Sequence, residues 1–151
     1  MYRKILVAYN GTPESRFALQ ECMRLASGTP AEVHLLAVVT PPPIWLAGEF
    51  VAAAPTVEDE EAERQAMQDV LNAGREMLVG SGLSVTTHLE VGEPVDVIAN
   101  MANRSDAELV IVGHSRHKPL TMRWWRGSTD AQLIGKLRCS LLVAADPHST
   151  Q

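Results

Sequence analysis

The stretch from Gly113 to Ser128 holds Arg116, Lys118, Arg123 and Arg126 and no carboxylate. The whole chain carries a net charge of −5, so this stretch is a local reversal of sign. Gly113 closes the short apolar run Leu109-Val110-Ile111-Val112 and has no side chain to obstruct a ligand. Gly127-Ser128 opens a helical pattern. A helix start presents unpaired N–H groups and the positive end of the helix dipole, which favour phosphate. Ser128 adds a hydroxyl donor. A strand end, a basic loop and a helix start therefore converge on an anion site. The same residues also suit a plain structural role. Glycines at such places are common punctuation, and a basic loop is often a solvated face.

Other reactive side chains form no comparable pattern. His114 and His117 lie three apart, with His34, His88 and His148 elsewhere. A metal site needs ligands that converge, and the spacing shows no such set. Thr12 and Ser15 stand at a helix start without a paired base, so capping explains them better than nucleophilic catalysis. Cys22 and Cys139 have no metal-ligand spacing and read as buried free thiols, which fits a reducing compartment.

These residues need a scaffold. Ile5-Leu6-Val7-Ala8-Tyr9 is a short apolar run stopped by Asn10-Gly11-Thr12-Pro13. Unbroken apolar character suits a strand covered on both faces. Thr12 before Pro13 predicts a helix N-cap with proline in the first turn. A second strand spans Val33 to Val39. Pro41-Pro42-Pro43 then leads a loop to about Thr56 that contains Trp45 and Phe50. A long helix runs from Val57 to Val79, and its acidic start, Glu58-Asp59-Glu60-Glu61, suits the dipole. A third strand from Ser84 to Glu90 alternates polar and apolar residues. Gly92-Glu93-Pro94 turns the chain into a helix from Val95 to Arg104. Leu109 to Val112 forms a fourth strand, Gly127 to Lys136 a helix and Ser140 to Ala145 a fifth strand.

Strands alternating with helices predict an α/β fold, an open parallel sheet with right-handed crossovers and helices on both faces. One domain over residues 1–146 is expected, with 147–151 as a flexible tail. Ligands in such a sheet sit beyond the C-terminal strand ends, where strand order reverses. The candidate positions are Ala8 to Thr12, Val38 to Pro41, and Gly113 onward. The acidic balance argues against nucleic acid. No apolar run reaches the length of a membrane span, and the N-terminus lacks a secretory signal. The expected location is the cytoplasm.

Several segments resemble the universal stress protein family. Ile5 to Thr12 is similar to its first-strand signature, Gly92-Glu93-Pro94 to its Gly-x-Pro turn, and Glu108 to Gly113 to its fourth strand. Gly127-Ser128 and Cys139-Ser140-Leu141-Leu142-Val143 resemble its last helix and strand. The resemblance implies an adenine nucleotide alpha hydrolase-like sheet of order 3-2-1-4-5, a stress-response regulatory role, and a homodimer pairing through Ser140 to Ala145. It also implies an ATP or AMP site at the ends of strands one, two and four. No metal is implied beyond a nucleotide-associated magnesium, and at most weak ATP hydrolysis.

The binders' motif is Gly-x2-Gly-x9-Gly-Ser/Thr. Gly113, Gly127 and Ser128 match it, and Thr129 follows. Arg116 and His117 stand where the middle glycine belongs, and the loop is one residue longer. Asn10 replaces an acidic residue that contacts the base. Val38 falls where the backbone meets adenine, and Ala8 where the base pocket is lined. Arg in place of the middle glycine leaves three outcomes open. Phosphate binding is lost, shortened to a monophosphate, or rebuilt around Arg116 and Lys118. If it is lost, a protein-interaction module is the alternative, with Trp45 or Trp124-Trp125 as the partner surface. An adenylating enzyme of related fold would want a Ser-Gly-Gly-x-Asp-Ser loop after the first strand, which Tyr9 to Ser15 lacks.

Overall fold

The computed structural model describes residues 1–41, 56–114 and 129–146. Its strands are β1 (Lys4–Ala8), β2 (Glu32–Val39), β3 (Ser84–Val91), β4 (Leu109–His114) and β5 (Ser140–Ala145). Its helices are α1 (Pro13–Ala26), α2 (Val57–Gly80), α3 (Pro94–Arg104) and α4 (Thr129–Lys136). All strand pairings are parallel, in the order β3-β2-β1-β4-β5. The expected α/β architecture and strand order are observed. Element ends differ from expectation by one or two residues. β4 runs on through Gly113 and His114 because Gly113 pairs with Ala144 and His114 with Ala145 of β5.

The central strands are apolar because both of their faces are covered. Ile5, Val7, Val33, Leu35 and Ile111 point to one side, under Leu19 and Cys22 of α1 and Leu71 and Leu78 of α2. Leu6, Ala8, Leu36, Val38 and Val110 point to the other, under Ile98 and Met101 of α3 and Leu133 of α4. Each fully buried aliphatic side chain contributes about 1.5–3 kcal/mol of hydrophobic stabilisation. Gly74 of α2 lets that helix approach the sheet: a Cβ there would lie 2.8 Å from the ring of Tyr9.

Helix starts follow the sequence closely. Thr12 caps α1 by accepting from the Ser15 N–H, with Pro13 in the first turn. Thr56 and Asp59 form a reciprocal capping box at α2, and the Thr56 N–H, then its hydroxyl, donate to Asp59 Oδ2 and hold that carboxyl below its ordinary pKa. Gly92 donates its N–H to the Val39 carbonyl at 3.0 Å, and Pro94 then opens α3. Cys22 is buried beneath α1, and burial pushes its thiol up to about 12. Cys139 is only half-buried, so the expectation of two buried thiols is met by one. No helix among the described residues is long and apolar enough to cross a membrane.

The start of β1 is tied to the start of β4 by one side chain. Glu108 Oε1 accepts from the Arg3 N–H at 2.7 Å and the Lys4 N–H at 3.2 Å. The Arg3 bond, as the largest cause, lowers the Glu108 pKa from its ordinary 4.5. A carboxyl with a depressed folded-state pKa stabilises the fold above its unfolded value, and loses that effect as pH falls through the folded one. Glu108→Gln should therefore be less stable than wild type at neutral pH, with the gap closing below about pH 4.5. Urea denaturation at several pH values checks this; a gap independent of pH would contradict it.

Candidate functional site

Strand order reverses between β1 and β4, so the crevice lies where their C-terminal ends diverge. β1 stops at Ala8, whereas β2 continues to Val39. The last ladder bond between them runs from the Tyr9 N–H to the Leu36 carbonyl, at 2.9 Å. In a parallel ladder alternate residues turn their backbone groups towards a given neighbour. The next residue of β2 turned towards β1 is Val38. Among the described residues nothing bonds to Val38 from that side. Its amide and carbonyl form an adjacent donor–acceptor pair at the crevice. The side chains of Ala8 and Val38 are both buried on the α3–α4 face.

Asn10 directly follows Tyr9, the last residue bonded to β2, and its chemistry is partly committed. The Asn10 N–H donates to Ser15 Oγ at 3.3 Å. Its Oδ1 accepts from Thr12 Oγ1 at 2.6 Å and from the Thr12 N–H at 3.1 Å. Thr12 Oγ1 in turn accepts from the Ser15 N–H at 3.3 Å, and Ser15 Oγ donates to the Thr12 carbonyl at 3.0 Å. The loop is thus locked into the N-cap of α1, and Gly11 takes φ +83° to make the turn. A close network of this kind orders the Asn10 side chain. Asn10 Nδ2 has no partner among the described residues. The sequence offered an acceptor and a donor at this position; the fold uses the acceptor and leaves the donor.

Gly113 is where the sequence placed it, at the end of β4, but its lack of a side chain serves another purpose. A Cβ on Gly113 would lie 2.0 Å from the Glu14 carbonyl oxygen, 2.5 Å from the Glu14 carbonyl carbon and 2.9 Å from the Ser15 nitrogen. The first turn of α1 rests directly on this residue. The glycine lets helix and strand meet, and so brings the N-terminus of α1 to the crevice. Sequence inspection read Gly113 as ligand clearance and missed the helix; no local pattern identifies which backbone fills the gap.

Of the other expected site residues, Thr129 is the first residue of α4. Arg116, His117, Gly127 and Ser128 lie outside the described residues, as do Trp45, Trp124, Trp125 and the tail 147–151. Among the described residues no three His, Cys, Asp or Glu side chains converge on a metal position. The scattered histidines hold one surprise: His34 and His88 meet, with His34 Nδ1 and His88 Nε2 2.9 Å apart. They lie on β2 and β3; by register His34 is level with Leu6 and Val110, and His88 with Leu36 and Ala8.

Replacing Gly113 by Ala should destabilise the protein by about 3 kcal/mol, because backbone and not a flexible side chain must move. Equilibrium urea unfolding measures it. A change under about 0.5 kcal/mol, the range of an ordinary surface substitution, would show that α1 is not seated on β4 as described.

Comparison with known proteins places this geometry among relatives. The model of the universal stress protein family matches residues 1–145. A universal stress protein of Methanocaldococcus jannaschii is 24% identical over 150 residues, covering 97% of this chain and 84% of the relative. Universal stress protein E of Escherichia coli K12 is 28% identical over 148 residues, covering 93% of this chain. The chain spans only 46% of that relative's length. Among solved structures, a universal stress protein family member from Burkholderia pseudomallei superposes with a TM-score of 0.73 at 20% identity, covering 94% of this chain and 95% of that one. A universal stress protein in complex with cAMP gives a TM-score of 0.66 at 19% identity, covering 95% and 96%. A family member from Arabidopsis thaliana with AMP bound gives 0.66 at 16% identity, covering 96% and 92%.

Proposed function

This chain belongs to the universal stress protein family, and from that premise we propose that it is a stress-response regulator that binds an adenine nucleotide where β1 and β4 diverge. The observation that carries the reading is the backbone of Val38, unbonded towards β1 among the described residues, together with the ordered Asn10 in the loop after β1. The Watson–Crick edge of adenine offers an acceptor ring nitrogen next to an amino donor. The Val38 N–H and C=O form the matching pair on a rigid, buried strand. Two related structures carry adenine nucleotides, one AMP and one cAMP. Both ligands have a single phosphate. A single phosphate also suits this chain, whose loop has Arg116 in place of the motif's middle glycine. A guanidinium fork binds one phosphate without the close backbone approach that glycine allows.

AMP is therefore the preferred ligand over ATP, held by Ala8 and Val38 at the base, Asn10 Nδ2 nearby, and Arg116, His117, Gly127, Ser128 and Thr129 around the phosphate. The reading is one of binding without turnover, since the side-chain hydrogen bonds seen for Thr12 and Ser15 among the described residues run to each other and to Asn10. The working form is a cytoplasmic homodimer joined through β5, each subunit one domain over residues 1–146.

Equilibrium dialysis with labelled AMP, ATP and cAMP tests the reading. AMP is expected to saturate with a dissociation constant below about 1 mM, equivalent to roughly 4 kcal/mol. Arg116→Ala should weaken AMP by about tenfold or more, the loss of a charge-assisted hydrogen bond. Absence of saturable binding for all three ligands would overturn it and leave the family's alternative, an interaction module working through its Trp-bearing segments.

Asn10→Asp offers a separate check. Asp keeps the acceptor that Thr12 requires and adds a negative charge near the start of α1, so stability should be kept or slightly raised. It also removes the Nδ2 donor. If Asn10 contacts the base edge, AMP affinity should move by several-fold while the melting temperature holds. An unchanged affinity would take Asn10 out of the site.

A further inference from the structure

His34 of β2 and His88 of β3 lie diagonally across the ladder, since the register partner of His88 is Leu36. They occupy the sheet face covered by α3. The ring planes are inclined by 18° and the centroids are 5.1 Å apart. That separation is close to the 2.9 Å nitrogen contact plus the two ring radii, so the rings meet edge to edge. The contact is an in-line hydrogen bond. Beyond it, His34 Nε2 lies 3.0 Å from Glu32 Oε1. His34 is 9% exposed, which leaves water little room to replace either partner.

The protons follow from the partners. An ionised carboxylate only accepts, so His34 carries hydrogen on Nε2. Neutral His34 then accepts at Nδ1, and His88 must donate from Nε2. The chain reads His88 Nε2–H to His34 Nδ1, and His34 Nε2–H to Glu32. One added proton goes to Nδ1 of His88 and breaks none of these bonds. A second, on Nδ1 of His34, sets two N–H groups against each other across 2.9 Å. That bond is then lost, and two positive rings face each other.

We propose that Glu32, His34 and His88 form a proton switch that fastens edge strand β3 to β2 while the pair holds at most one proton and loosens it when the second binds. A metal is a poorer occupant: the ring nitrogens already meet at hydrogen-bond distance, and no third ligand converges among the described residues. The charged groups around the pair are Glu32 on β2, Glu90 on β3, Arg104 on α3, and Lys4 on β1, the register partner of Glu32. Glu90 and Arg104 pair with each other at 3.1 Å. Glu90 favours a proton on His88 and Arg104 opposes one, so neither outweighs the pair itself. Burial, and next the His34 charge, lower the His88 pKa from its ordinary 6.5. With a folded-state value below the unfolded one, the contribution is complete above about pH 6.5 and declines as pH falls. β3 is an edge strand that pairs with β2 alone, while Val85 and Leu89 pack under α2 on the other face, so loosening falls on Ser84–Val91 and the adjoining end of α3.

Two measurements on the full chain test this. Histidine ring resonances are followed by NMR across pH, with amide hydrogen exchange recorded for β3. The expected result is that His34 and His88 shift together in two separated steps. Protection factors of the β3 amides, with the intrinsic pH dependence of exchange divided out, should fall by up to about tenfold per pH unit as pH drops through the second step, the limit for one linked proton. In His88→Gln that pH dependence should vanish. Independent single titrations of the two rings in wild type would overturn the proposal, as would β3 protection factors that ignore pH. The wild-type titration decides the matter even if the variant does not fold.

Discussion

The contact on which the most other features depend is the seating of α1 on β4. With only 2.0 Å between the Glu14 carbonyl oxygen and the place a Gly113 Cβ would take, no other residue fits without moving backbone. This single absence of a carbon fixes where the first turn of α1 lies. That turn in turn fixes Thr12 and Ser15, and through them Asn10. The crevice between β1 and β4 inherits its shape from a packing requirement rather than from a ligand. Buried interiors tolerate little misfit, so such a constraint is transmitted with little loss.

A second consequence concerns the end of β2. Because the loop after β1 turns away to cap α1, it leaves the ladder early. Val38 is then buried, and among the described residues nothing bonds to its backbone edge towards β1. Buried backbone groups are nearly always paired. An edge left open in an ordered strand marks the place where a ligand can complete the pairing. The same capping network that orders Asn10 therefore takes the chain out of the ladder before it reaches Val38.

The architecture was legible in the sequence because the central strands are covered on both faces, which writes them as unbroken apolar runs such as Val33 to Val39. The cap at Thr12-Pro13 was equally plain, a short side chain satisfying a helix N–H group locally, whereas Thr56 was read only as the end of a loop and caps α2 all the same. Strand ends were less so: β4 reaches His114 because β5 lies alongside, and pairing between distant segments leaves no local trace. Gly113 was placed correctly and explained incompletely, since a glycine shows that space is needed but not what fills it. The meeting of His34 with His88 was not legible at all. It depends on the register of β2 against β3, where a shift of one residue would send the two rings to opposite faces. Glu108 was hidden for the same reason, its partners being Arg3 and Lys4 at the other end of the chain.

The central claim is that the open edge of Val38 receives an adenine base. Backbone amide shifts recorded during addition of AMP test it most directly. A saturable change at the Val38 N–H, larger than at its neighbours in β2 and accompanied by Asn10, is the expected result. A Val38 amide that stays still while AMP binds elsewhere, or no saturable change at all, would contradict it.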